Sequence, residues 1–197
     1  MPRKPRIEYD GAVYHVMDRG DRLEIFFRDV GDLELFLKTL GQACERSGWR
    51  VHSYVLMGNH YHMLLETPEP NLSTGMQWLQ STYTIRHNVK HRLRGHLFQG
   101  RYTAIPVDGE DWTYFRMVSD YIYLNPARAL EKSAHGRPEP SKPVLLRCCR
   151  TAGHQKTCQE VRNVNRHGLT PLVRGIRAPP VCGRCVARPA AINAGAG

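Results

Sequence analysis

The chain has 197 residues, 41% of them hydrophobic, which is enough to bury one core of ordinary domain size. No apolar run approaches the length of a membrane span, and the opening MPRKPRIEYD lacks the apolar segment of a secretory signal, so a cytoplasmic chain with reduced thiols and no membrane contact is expected. The net charge of +10 is uneven: residues 1–132 carry 17 Lys and Arg against 16 Asp and Glu, and residues 133–197 carry 11 against 2, so the excess is no evidence for a basic cleft in the first part.

In chain order, GAVYHVMDRG (11–20) reads as a strand. In DLELFLKTLGQACERSG, Leu33, Phe36, Leu37, Leu40 and Cys44 recur at spacings of three and four, the pattern of an amphipathic helix ending near Gly48. WRVHSYVLM and HYHMLLET read as two strands joined by a tight turn at Gly58-Asn59. NLSTGMQWLQSTYTIRHNVKHRLR predicts a second helix, and GHLFQGRYTAIPV a further strand. DGEDWTYFRMVSDYIYLNP predicts a last helix that stops before Pro126. The order β-α-β-β-α-β-α suggests an α+β fold, a ferredoxin-like antiparallel sheet with helices packed on one face.

Residues 133–197 differ in kind. No Phe, Tyr or Trp follows Tyr123, and five of the six cysteines lie in this segment. Such a Pro-, Gly- and Arg-rich stretch cannot easily bury a core, and is expected to be a largely disordered tail following a domain of residues 1–132. Its Cys182-Gly-Arg-Cys185 pair is half a zinc site at most, with His154, Cys158 or His167 as further ligands.

The chemistry-bearing residues are few. Alternation along a strand puts His60 and His62 on one face, the start of a metal site if not simply sheet surface. In the last helix Tyr121 and Asn125 are four residues apart and share a face, and Tyr123 points nearly the opposite way. If that face looks at the histidine strand, His60, His62 and Asn125 could hold one divalent ion, with Tyr121 about one helical turn (~6 Å) away. Each has a plain alternative: a packed tyrosine at the rim, or an asparagine ending the helix.

Taken together and in order, YHVMDRG, LMGNHYHMLLETP, GHLFQGRYTAIPV and SDYIYLNPARA resemble the HUH single-tyrosine transposases of bacterial insertion sequences, most closely the REP-associated tyrosine transposases. The resemblance spans roughly residues 3–130. It implies an HUH nuclease-type fold, His60, His62 and Asn125 as ligands of Mg²⁺ or Mn²⁺, and Tyr121 as nucleophile. The implied reaction cuts single-stranded DNA beside hairpins through a 5′-phosphotyrosine intermediate and rejoins strands, in a monomer or homodimer. Gly58 stands where such relatives commonly carry proline, and the aromatic-rich stretch usual after the Asn-Pro segment is missing. Candidate DNA contacts are a basic arm of Arg3, Lys4 and Arg6, a basic stretch of Arg86, Lys90, Arg92, Arg94 and Arg101, and Tyr102 or Phe98 as a stacking platform for bases. The alternative to a transposase is a catalytically inactive hairpin-DNA-binding protein with a regulatory role.

Overall fold

The structure is a computed structural model; it describes residues 6–134 and the backbone of three short strands beyond them. Four strands, β1 (Ala12–Arg19), β2 (Arg50–Met57), β3 (His60–Thr67) and β4 (Thr103–Val107), form an antiparallel sheet in the order β4-β1-β3-β2. Helices α1 (Val30–Ser47) and α2 (Leu72–His91) connect β1 to β2 and β3 to β4. This is the ferredoxin-like arrangement expected from the order of elements. Pro106 lies in β4, an edge strand, where the missing N–H costs no ladder bond on the open side.

Local chemistry sets the ends of the helices. Asp29 caps α1 by accepting from the Asp32 amide at 2.9 Å, and Gly48, at φ +67°, takes the left-handed position that ends it. The start of α2 is tied to the end of α1 through Asn71, which donates to the Ser47 carbonyl and accepts from the Trp49 indole at 2.8 Å. Trp49 lies so close to α2 that a Cβ at Gly75 would stand 2.1 Å from its ring; glycine is required there for the contact itself.

The two sheet faces carry separate cores. On one face α1 and α2 close over Tyr14, Val16, Tyr54, Leu56, Tyr61, Met63 and Leu65, with Phe26, Phe27, Phe36, Tyr83 and Phe98 filling the layer. On the other face α3 (Trp112–Ala134) packs Phe115 and Ile122 against Val13, Val55, Met57, Leu64 and Val107. Helices therefore cover both faces, not one as anticipated. The strands supply apolar residues to both sides, and the alternation of Val13/Tyr14 or Leu64/Leu65 serves both cores.

Two further expectations are corrected. α3 does not stop before Pro126 but continues through it to Ala134. The anticipated strand at 95–107 is confined to Thr103–Val107, and Phe98 reaches the sheet only through an isolated bridge to Gly20. Most of the segment expected to be a disordered tail, with the Cys182/Cys185 pair, lies outside the described residues. Its described parts are strands: β5 (Leu145–Cys148) pairs antiparallel with β2 as a fifth strand of the sheet, and β6 (Arg162–Asn165) pairs with β7 (Gly168–Pro171).

Candidate active site

The central strands β1 and β3 bring the polar residues of the α3 face together. Their register sets Arg19 opposite His60, Met17 opposite His62 and His15 opposite Leu64. Directly paired residues share a face, so His15, Met17 and Arg19 line up beside His60 and His62. Tyr61, between the two histidines, points the other way and is fully buried beneath Gln80.

The hairpin turn holds the first histidine. Met57 faces His60 across the two-residue turn, whose Gly58 carbonyl accepts from the Phe26 and Phe27 amides at 3.0 Å each. The Asn59 side chain donates through Nδ2 to the Leu23 carbonyl, which turns its Oδ1 toward His60 Nδ1 at 2.8 Å. An amide oxygen can only accept, so His60 Nδ1 carries a proton, and in the neutral ring the lone pair is then on Nε2.

The second histidine meets a third that sequence reading missed. His62 Nδ1 lies 3.0 Å from His15 Nε2, and the two rings stack with centroids 5.2 Å apart. The Tyr121 ring stands edge-on to both, at 6.0 Å from His15 and 6.4 Å from His62. Among the described residues it is the tyrosine of α3 whose ring meets the histidines. Ile122, fully buried, fixes the rotation of the helix, and Tyr121 beside it stays 42% exposed. Asn125, half-buried, follows one turn later on the same helix. Its place relative to the imidazoles is given by helical position alone.

Burial favours the neutral forms of His15 and His62. It lowers the pKa of His15, and it lowers that of His62 to about 3, with smaller contributions from His60 and His15 themselves. Two neutral imidazoles have the donor chemistry that a divalent ion requires.

The basic residues are distributed differently from expectation. α2 lies across the sheet from the histidines, and its cations are engaged: Arg86 donates to Thr39 Oγ1 and Gln42 Oε1 at 2.9 and 2.8 Å, bracing α2 on α1. Lys90 is held at 2.7 Å by both Asp29 and Asp32. Tyr102 is buried with the Arg6 guanidinium 3.7 Å over its ring, so its face is not open to a base, and Phe98 is buried as well. Arg92, Arg94 and Arg101 are exposed, and Arg3 and Lys4 lie outside the described residues. Arg19, opposite His60, adds an exposed cation that was not anticipated; its Nε donates to Gln99 Oε1, a neutral partner.

A possible metal-binding trio lies elsewhere, between α1 and α2: ligand atoms of Asp32, His87 and His91 fall within 4.8 Å of one another. Asp32, fully buried, already accepts from Lys90 Nζ and His91 Nε2 on Oδ1, and from the Arg28 amide on Oδ2. A cation there would have to displace the lysine.

The structure thus sets a histidine pair on a central strand of a ferredoxin-like sheet, with a tyrosine-bearing helix laid over it. Residues 9–125 match the family described as Transposase IS200 like, and the chain belongs to that family. A REP-associated tyrosine transposase solved bound to a REP hairpin shares the fold, at 16% identity and a TM-score of 0.55 over 70% of this chain and 76% of that one. A protein from Deinococcus radiodurans R1, named provisionally as a transposase, aligns at 15% identity and a TM-score of 0.41 over 71% of this chain and 100% of that one. No curated protein sequence matches the chain. Among the described residues no helix is long and apolar enough to cross a membrane.

Proposed function

We propose that the protein is a metal-dependent transposase that cleaves and rejoins single-stranded DNA beside hairpins, with Tyr121 as nucleophile and His60, His62 and Asn125 as ligands of Mg²⁺ or Mn²⁺. The observation that carries this reading is the edge-on approach of the Tyr121 ring to the His15 and His62 rings, on the one face of α3 that also bears Asn125. The unit that does this work is residues 1–132, acting in the cytoplasm as a monomer or homodimer.

In the cleavage step the Tyr121 oxygen attacks a backbone phosphorus. The Oη–P bond forms, the P–O3′ bond breaks, the phenolic proton is lost, and the departing 3′ oxygen takes one up. The product is a 5′-phosphotyrosine and a free 3′-hydroxyl, and attack by a 3′-hydroxyl reverses the step and joins strands. A neutral phenol is a poor nucleophile toward an anionic diester, and a divalent ion would polarise the phosphate oxygens and offset the charge that develops. The chain's own part is to present two neutral imidazoles and an amide, which leave the ion's charge available to an anionic substrate. Hairpin DNA as partner is supported by the fold-mate solved with such a hairpin, and the reading of the protein as REP-associated rests on the same likeness. Arg19, Arg92, Arg94 and Arg101 are exposed cations available to backbone phosphates.

The test is the covalent adduct. With a single-stranded hairpin substrate and Mn²⁺, the wild type, Tyr123→Phe and Tyr114→Phe, the last at the α3 tyrosine seven residues before Tyr121, form a protein–DNA adduct, and Tyr121→Phe does not. An adduct mapped to Tyr114 or Tyr123 would overturn the site. Hairpin binding with no adduct in the wild type would turn the reading to an idle binding protein.

A further inference from the structure

His15 is the one member of the cluster with no assigned role. It is buried on β1, stacked on His62 and edge-on to Tyr121, and its Nε2 is 3.0 Å from His62 Nδ1. Two neutral imidazoles at that distance share a single proton between the facing nitrogens: one donates and the other accepts. The direction decides whether His62 can serve a metal through its outer nitrogen. If His15 donates, His62 holds its proton on Nε2 and cannot ligate there. If His62 Nδ1–H donates, its Nε2 carries the lone pair.

The neighbouring histidine shows how the strand resolves the same choice. Asn59, oriented by its own bond to the Leu23 carbonyl, takes the Nδ1 proton of His60 and leaves Nε2 as the lone-pair nitrogen. We infer that His15 is a positioning residue that does for His62 what Asn59 does for His60: it accepts the Nδ1 proton, fixes the tautomer with the lone pair on Nε2, and holds the ring so that the two Nε2 atoms can bind one divalent cation. This rests on the reading of His60 and His62 as metal ligands. The acceptors differ in origin. Asn59 adjoins His60 in sequence, whereas His15 lies forty-seven residues from His62 and reaches it only through the β1–β3 register. Partners that orient a ligating imidazole typically contribute about 10–100-fold in metal affinity.

Nitrogen NMR of the metal-free protein labelled in histidine reads the tautomer directly. His62 should show a protonated Nδ1 and an unprotonated Nε2. In His15→Leu that pattern should be lost and Mn²⁺ affinity, measured by calorimetry with the metal alone, should fall about 10–100-fold. His15→Gln, whose amide oxygen can accept at similar reach, should restore most of both. A protonated Nε2 on His62 in the wild type overturns the assignment even if the leucine variant fails to fold. Unchanged Mn²⁺ affinity in a folded His15→Leu protein, with affinity abolished in His62→Ala, also overturns it while leaving the metal site standing. Unchanged affinity in His62→Ala removes the site reading and this inference together.

Discussion

Among the described residues, the core between the sheet and α1 and α2 has twenty-two buried members, nine of them Phe or Tyr and one, Trp49, a tryptophan; the core on the other face has seven, two of them, Phe115 and Ile122, from α3 itself. The larger face spends its polar groups on structure: Arg86, Lys90, Asn71 and Asp32 all tie α1 to α2. The smaller face leaves part of the sheet for His15, His60 and His62, with an exposed tyrosine above them. The difference separates two tasks. The large core fixes the β1–β3 register, and that register brings the imidazoles together on the opposite side.

If the tasks are separate, substitutions should divide between them. The largest effect belongs to the α3 face: His62→Ala should bring divalent-dependent cleavage below detection while hairpin affinity stays within a few-fold and stability shifts by at most about 1 kcal/mol, read by cleavage assay, gel shift and thermal melting. Next comes Gly75→Ala on the other face. Its Cβ would press into the Trp49 ring, an overpacking that should destabilise the fold by about 1–3 kcal/mol with adduct formation per folded molecule unchanged. Loss of chemistry beyond loss of folded protein would show that the faces are coupled.

The pH dependence of stability sharpens the comparison from both sides at once. His62, His15 and His87 have pKa values lowered by burial, so the unfolded chain takes up their protons first as pH falls. Stability of the metal-free protein should therefore decline from about pH 6.5 downward, the ordinary histidine value. Asp32, lowered by its bonds to Lys90 and His91 against the opposing cost of burial, adds to the loss at lower pH; Asp18, raised by burial, opposes it. His15→Gln should flatten the upper part of the decline in chemical denaturation series. The smallest effects distinguish cations. Lys90→Ala should cost about 1 kcal/mol with DNA affinity little changed, whereas Arg94→Ala should leave stability alone and reduce the salt slope of DNA binding by about 1.

The elements that sequence displayed well are those with local signals. Leu33, Phe36, Leu37 and Leu40 mark α1 by their spacing, and Gly58-Asn59 marks the hairpin; both stand as expected. The strand order follows from the order of elements once the helices are recognised. What stayed hidden depends on contacts between distant residues. His15 within YHVMDRG looks like any buried strand residue, because its partner is chosen by register and not by neighbours. Arg86 and Lys90 looked like a phosphate-binding stretch, since nothing near them in sequence names Thr39, Gln42, Asp29 or Asp32 as their partners. Pro126 reads as a terminator in the sequence, because residues before a proline generally avoid helical dihedrals.

That proline lies inside α3, one residue beyond Asn125. Having no N–H, it cannot bond the carbonyl of Ile122. The ladder of the helix is thus interrupted on the turn that follows Tyr121 and ends at Asn125, while Phe115 and Ile122 anchor the turns before it. Amide exchange across α3 should accordingly be graded: slow from Val118 to Ile122, faster from Leu124 onward. Tyr121 then sits at the junction between the turns that Phe115 and Ile122 anchor and the turn that lacks a ladder bond.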